Sequence, residues 1–189
     1  MFLKNSILII LFFIISCQPV EIISTPEIDN DKLKTILKNA KEVTIINKYN
    51  FIFSDKNIED QVTNPPIMVL KNWLNENIKI FGNQNKLIIN ILDSSIYKTE
   101  IENVNAKNYE EKTIFLYEIF YLVEYELYDD SNYLLANSTV EVSRSTTSQK
   151  YISLNQLDLI INDLLVKSLR DFVNETQRML TLYMNEFVQ

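Results

Sequence analysis

The sequence predicts an α+β domain of two layers, in which helices lie on one face of a largely antiparallel sheet of about four strands. Over residues 113–128, alternate residues are apolar and share one face, while the other face carries Glu118, Glu124 and Glu126 around Phe120 and Leu122, as in a strand with one buried face. Residues 86–98 and 133–147 carry strand patterns on either side of it. Helical patterns cover 64–81 and the stretch from 153 to about 187, so the predicted element order is β-α-β-β-β-α.

Ahead of the first well-marked helix we expect a tether followed by a strand. Residues 17–41 contain two prolines, which is typical of a tether. The last part of the tether is expected to form a short helix, because four apolar residues fall at helical spacing: Leu33, Ile36, Leu37 and Ala40. A single domain is expected over 42–189. It opens with a strand over 43–53, where alternate residues are apolar: Val43, Ile45, Tyr49, Phe51 and Phe53.

The first helix is predicted after a polar loop over 54–64. Asn64 is the expected cap, and a proline at the first helical position loses no hydrogen bond. Apolar residues then recur every three or four positions up to Phe81. Gly82 is the only glycine in the chain, and we expect it to end this helix in a left-handed conformation.

The hairpin and the last helix follow from local signals. Residues 129–132 have turn chemistry, because Asp and Asn tolerate the required backbone. The strand before this turn places seven apolar side chains on one face: Phe115, Tyr117, Ile119, Tyr121, Val123, Tyr125 and Leu127. Ser153 and Gln156 form a capping box that starts the last helix.

The start of the chain resembles a bacterial lipoprotein signal. Lys4 precedes an apolar run of about nine residues, which is too short to span a bilayer. Ile14-Ile15-Ser16-Cys17 then resembles a lipobox, which predicts a signal peptide over 1–16 and a lipidation site at Cys17. Two alternatives stay open: an ordinary signal peptide cut near a cysteine, and an uncleaved anchor.

The predicted anchor has a physical consequence for location. One acyl chain binds a membrane only marginally, while several chains such as palmitate make the attachment durable. We therefore expect a permanently membrane-bound protein whose domain lies in the periplasm. Gln18 follows the cysteine where an aspartate would favour the inner membrane, so the outer membrane is expected.

Composition narrows the function. The chain has no histidine and one cysteine, so triads and histidine metal sites are excluded, and we expect no enzyme, cofactor or metal centre. A carboxylate or Ser-Lys hydrolase stays open as a lesser alternative. The formal net charge is −7, which becomes −8 when the signal with Lys4 is removed, and this balance disfavours nucleic acid as a partner.

Five stretches carry a resemblance to a known family: Pro66 with Trp73-Leu74, Phe81-Gly82, residues 89–96, residues 140–147 and the start of the last helix. Together they resemble a family of small alphaproteobacterial envelope lipoproteins that has no established activity. The element order is also similar to that of ABC-transport auxiliary lipoproteins and of the lipopolysaccharide-assembly lipoprotein. This resemblance implies an envelope role and assigns no catalytic residue.

Two groups of residues are candidate sites. The aromatic side chains of Tyr117, Tyr121, Tyr125 and Trp73 are a candidate surface for a protein partner or a lipid, the alternative being that they fill the layer between sheet and helix. The densest acidic group is a candidate cation site or partner-facing surface, the alternative being a solvated strand face and its turn: Glu118, Glu124, Glu126, Asp129 and Asp130.

The sequence therefore favours a non-catalytic binding or assembly module that meets another envelope protein. The alternative is an accessory lipoprotein of a lipid or lipopolysaccharide transport system that contacts lipid directly. This alternative predicts an apolar cleft lined by four residues: Ile119, Val123, Trp73 and Phe172.

Expression in a bacterium with lipoprotein processing tests the anchor. We expect an intact mass that lacks residues 1–16 and carries three acyl chains on Cys17, because the lipobox directs acylation and cleavage there. Cys17→Ser should abolish incorporation of labelled palmitate. An unmodified thiol, or retention of the leader in the native product, would contradict this prediction.

Overall fold

The computed structural model describes residues 35–104 and 106–184, and it confirms the α+β class. In chain order the elements are β1 (Ile36–Asn39), β2 (Glu42–Asn47), α1 (Pro66–Asn77), β3 (Ile78–Phe81), β4 (Lys86–Glu102), β5 (Thr113–Tyr128), β6 (Leu134–Ser148) and α2 (Leu154–Tyr183). A 3₁₀ turn at Glu59–Gln61 precedes α1.

The main sheet has four strands in the order β2-β4-β5-β6. β4 and β5 are antiparallel, as are β5 and β6, whereas the short β2 runs parallel to β4. The predicted strand over 113–128 and its hairpin with β6 are confirmed. β4 continues to Glu102, beyond its predicted end, because it pairs with β5 along its whole length.

The alternation in β5 divides the sheet into a packed face and a face that none of the described helices covers. From Tyr117 to Leu127 every odd residue is buried, while the even residues between them are only partly covered. The two helices meet on the packed face. There the ring centroid of Phe172 in α2 lies 5.8 Å from that of Trp73 in α1 and 5.7 Å from that of Tyr121 in β5. These three aromatic rings join both layers.

The predicted short helix near residue 36 is wrong. Residues 36–39 form β1, which pairs in parallel with β3 in a separate two-stranded sheet. Ile36 and Ala40 belong to the core, so the fold includes residues that were assigned to the tether. Lys38 lies between them, is 1 % exposed, and has a pKa that burial lowers to about 8.

The predicted first strand is too long at its C-terminal end. β2 stops at Asn47, close to a bulge in β4 between Ile91 and Asp93 that interrupts the register. Beyond the bulge, the loop around Asn57 pairs with β4 in place of β2, through a bridge between Asn57 and Tyr97. The Ile58 N–H donates to the Ile96 carbonyl at 3.2 Å, which buries Ile58 while leaving Phe53 exposed.

The first helix also ends earlier than predicted. α1 stops at Asn77, and the last turn of the predicted helix is instead β3, because pairing with β1 buries Ile78. Asn64 is not its cap, since Pro65 holds that position and makes no side-chain cap. The capping box of Ser153 and Gln156 at the start of α2 is confirmed.

Gly82 has the positive φ that its position predicted, at 107°, although it follows a strand rather than a helix. A Cβ atom at this position would collide with the side-chain oxygen of Asn39, which would have to move aside. The positive φ is therefore the main requirement for glycine here.

Gly82→Ala should lower the free energy of unfolding by about 1–3 kcal/mol, because it combines positive-φ strain with a steric clash. Urea denaturation measures the change. Asn132→Gly is the matched control at another positive-φ position (62°), where removing a side chain should leave stability within about 0.5 kcal/mol. Equal stability of Gly82→Ala and the wild type would contradict the account of this turn.

Candidate functional site

The predicted lipidation site, Cys17, lies outside the described residues, as do the signal peptide and most of the tether. None of the helices in the part of the chain that the structure describes is both long and apolar enough to cross a bilayer.

The predicted aromatic surface lies in the interior. Tyr117 is 1 % exposed, and Tyr121, Tyr125 and Trp73 are completely buried. The alternative is therefore observed: these rings fill the layer between the sheet and the helices. Burial raises the pKa of Tyr121 and of Tyr125, so both hydroxyls stay neutral at physiological pH.

The predicted lipid cleft is closed where its lining was expected. Ile119, Val123, Trp73 and Phe172 are all completely buried. The edge-to-face contact of Phe172 in α2 with Tyr121 in β5 joins the helix to the sheet, which are the two sides that the cleft would have separated. An acyl chain could enter this layer only if the helices moved.

The predicted acidic site is spread over two places. Glu124 and Glu126 lie on the sheet face that none of the described helices covers, where both accept hydrogen bonds from the side-chain amide of Asn90, at 3.1 and 2.9 Å. Asp129 instead closes the turn before β6, and Asp130 pairs with Lys41. Within residues 35–104 and 106–184, no three acidic or cysteine side chains are grouped as metal ligands.

Arg144 of β6 forms an ion pair with Asp171 of α2. Its guanidinium is thereby engaged within the fold, and both side chains are about two-fifths exposed. The pair fastens the edge strand β6 to α2.

A site that the sequence did not indicate lies between the loop after β2 and the first turn of α1. It is a groove of about 300 Å³, which we call the Glu59 groove, lined by Phe51, Glu59, Asp60, Pro65, Ile67 and Met68. The proline pair 65–66 starts the helix at the groove wall. Since Leu70 and Trp73 turn inward from α1, Met68 is left at the surface.

Glu59 is one of the two acidic residues beside this groove, whose exposed surface is almost entirely apolar. It is 7 % exposed, although it is an acidic residue in a surface loop. The Tyr49 hydroxyl donates a hydrogen bond of 2.7 Å to its Oε2 atom. Its backbone N–H donates to the side-chain oxygen of Asn57 at 3.0 Å, which fixes the turn. The carboxylate is thus held in one place.

The electrostatic setting of Glu59 disfavours its charge. Burial is the main cause that raises the pKa of Glu59, and the nearby Asp93 and Asp60 raise it further. The hydrogen bond from Tyr49 acts in the opposite direction but is outweighed. Each ion pair found among the described residues joins other groups, so none supplies Glu59 with a cation.

Large apolar side chains continue outward from the groove. Phe51 is 41 % exposed, Ile52 68 %, Phe53 81 % and Met68 56 %. The rings of Phe51 and Phe53 are in edge-to-face contact, with centroids 6.0 Å apart. We call residues 51–53 the aromatic rim.

Sequence reasoning missed this site because it assigned the rim to a buried strand face. The available signal was the run of three consecutive apolar residues, Phe51-Ile52-Phe53, which strict alternation does not produce. The burial of Glu59 had no sequence signal, since it depends on the pairing of the preceding residues with β4.

No family model and no curated protein matches the chain. Among solved structures, the chain is similar to a minor lipoprotein from Acinetobacter baumannii, with a TM-score of 0.41 and 9 % identity. The match covers 78 % of this chain and 93 % of that one. A likeness this distant assigns neither a family nor a function.

Glu59→Gln tests the buried charge through the pH dependence of stability. A carboxyl whose pKa is raised in the folded state stabilises the fold while protonated, and this contribution is lost as pH rises through the folded pKa. Glutamine can still accept the Tyr49 hydrogen bond. The free energy of unfolding of the variant should therefore equal that of the wild type near pH 4 and exceed it towards pH 7.

Glu42→Gln, at an exposed position of β2, is the control and should change stability equally at both pH values. Chemical denaturation at a series of pH values gives the comparison. Parallel profiles for Glu59→Gln and the wild type would show that Glu59 is not destabilised by its charge.

Proposed function

We propose that this chain is a membrane-tethered bacterial lipoprotein whose domain is a non-catalytic binding or assembly module of the cell envelope. Acylated Cys17 would hold it at the periplasmic face of the outer membrane, and the partner would be another envelope protein. The observation that carries the proposal is the exposed aromatic rim beside the Glu59 groove.

The rim supports a docking role because water-exposed apolar surface of this kind is costly unless a partner covers it. Three consecutive large apolar residues, all more than two-fifths exposed, are present in one loop. The loop is supported by the pairing of Asn57 with Tyr97 in β4, so the rim is presented from a fixed base.

The charge around the rim supports a protein partner over a lipid surface. Lys48 and Lys56 flank the rim in the chain together with Asp55 and Asp60, and no lysine or arginine lines the groove itself. Anionic headgroups would be repelled by the net acidic charge of the chain. The proposal needs only apolar contact and fixed charge, and it assigns no reaction.

A site-specific crosslink tests the proposal in intact cells. A photoreactive phenylalanine in place of Phe53 should crosslink the lipoprotein to one envelope protein. The same group in place of Tyr133, which is 72 % exposed in the β5–β6 turn, should not form that crosslink. Lipid crosslinked at Phe53 without any protein would instead favour the lipid-transport alternative.

Co-purification from detergent-solubilised membranes gives the matched measurement. Ile52→Ser with Phe53→Ser should lower recovery of the crosslinked protein at least fivefold without loss of fold, because both side chains are exposed. Tyr151→Ser, at an 84 % exposed position elsewhere, should leave recovery unchanged. Equal recovery with all three proteins would refute a docking role for the rim.

A further inference from the structure

We infer that β2 pairs with β2 of a second copy of this chain. The two strands run antiparallel about a two-fold axis at Ile45, so that two four-stranded sheets become one continuous sheet. This inference goes beyond the proposed function and uses no residue of the aromatic rim. It rests on the unpaired outer edge of β2 and on the charges at the two ends of that edge.

The inner edge of β2 is defined by its pairing with β4. The Lys48 N–H, just beyond the strand, donates to the Ile91 carbonyl at 2.9 Å. In a parallel ladder, alternate residues direct both their N–H and their C=O to the same neighbouring strand. Counting back from Lys48, Ile46 and Thr44 therefore direct these groups to β4.

The residues between them direct the same groups outward: Val43, Ile45 and Asn47. Within residues 35–104 and 106–184, no hydrogen bond involves these outward backbone groups. Unpaired N–H and C=O groups along an edge are a template for another strand. Residues 42–47 contain neither proline nor lysine, which are two of the devices that keep edge strands from pairing.

The apolar side chains of β2 are also incompletely covered. Val43 and Ile45 face the core but are only partly buried, whereas their neighbours in β4, Leu87 and Ile89, are completely buried. On the other face of the strand, Ile46 is 38 % exposed. A further strand beside β2 would shield apolar surface on both faces.

The charges of β2 fit a second copy of the same strand. With Ile45 opposite Ile45 in an antiparallel pair, each Glu42 lies opposite the Lys48 of the other copy. Both side chains are exposed, and neither belongs to an ion pair among the described residues. Because their positions in the chain differ by an even number, they share one face of the strand. Opposite charges placed across two strands stabilise the pairing.

The same register also matches the backbone. It sets Val43 opposite Asn47 and Ile45 opposite itself, so each outward-facing residue meets another, and each such pair exchanges two hydrogen bonds. A shift by one residue would set outward-facing residues against inward-facing ones. A shift by two would separate Glu42 from Lys48. Backbone and charge therefore select one register.

The helices leave room for this arrangement. In each copy α1 packs against β4 rather than over β2. The two β4 strands of the pair would be three strand spacings apart, about 14 Å. Packed helices need only about 8–10 Å between their axes, so the two α1 helices would not overlap.

The interface is small, because it consists of residues 42–48 from each copy. Interfaces of this kind are weak in dilute solution, where each domain unfolds as a single copy. Tethering to one membrane raises the effective concentration of the copies. We therefore expect the pair at the membrane surface.

Disulfide formation between two differently tagged copies tests the pairing. Thr44→Cys in one copy and Ile46→Cys in the other place cysteines directly opposite, in a pair whose side chains approach closely. The full-length proteins are mixed in phosphatidylcholine liposomes and treated with a mild oxidant. The mixed disulfide should exceed both like-with-like disulfides about fivefold, because only the mixed pair is in register.

Two controls show whether a disulfide comes from β2. The wild type, whose only cysteine is Cys17, reports crosslinks that involve no introduced thiol. Thr139→Cys, at an exposed position of β6 on the other edge of the sheet, reports random collision. A mixed disulfide no more abundant than the Thr139→Cys product would overturn the pairing. Equal yields of mixed and like-with-like disulfides would overturn its register.

A charge exchange tests the choice of a second copy. Lys48→Glu in both copies should lower the mixed disulfide about fivefold, since it sets like charges opposite each other twice. Adding Glu42→Lys should restore the yield, because both ion pairs are re-formed with their charges exchanged. Lys56→Glu, at an exposed position outside β2, should leave the yield unchanged.

An unchanged yield with Lys48→Glu, or no recovery in the double variant, would overturn the Glu42–Lys48 pairs and with them the self-complementary register. A partner crosslinked at Phe53 without any disulfide from β2 would overturn this inference while preserving the proposed function.

Discussion

The contact of one phenylalanine with two other aromatic rings holds the fold together. Phe172 lies against Trp73 from the other helix and against Tyr121 from the central strand, all three being completely buried. Aromatic pairs of this geometry contribute beyond their buried area. Because this cluster joins α1, α2 and β5, it places both helices on one face of the sheet.

The Glu59 groove is a consequence of that arrangement. With Leu70 and Trp73 turned toward the core, the first turn of α1 leaves Met68 beside the sheet edge. The chain must reach this helix from β2, and it does so by pairing around Asn57 with the part of β4 beyond the bulge. Glu59 lies two residues after Asn57, so the pairing of Asn57 with Tyr97 places this acid close to the start of α1.

The predictable parts of the fold are those in which local pattern and burial agree. Burial in β5 alternates from Tyr117 to Leu127, and the side-chain pattern alone assigned its packed face. The capping box at Ser153 and Gln156 likewise depends on neighbouring residues. The β1–β3 pair was missed because each strand has four residues, too few to show a period, and because parallel pairing depends on distant contacts.

The candidate site could not be predicted for the same physical reason. The exposure of Phe53 and the burial of Glu59 both depend on where β2 stops pairing, which the bulge in β4 determines. The regular spacing of the tyrosines in β5 led to the prediction that they form a binding surface. That regularity instead reflects their role as interior packing, while the exposed aromatic residues occur where periodicity is lost.

Glu59 is a buried acid, and no cation among the described residues is paired with it. NMR titration of its side-chain carboxyl carbon in the free protein tests whether that acid is paired or hydrated. We expect a midpoint above the value of about 4.3 for a solvated glutamate. A midpoint at or below that value would show that Glu59 is hydrated or already paired with a cation.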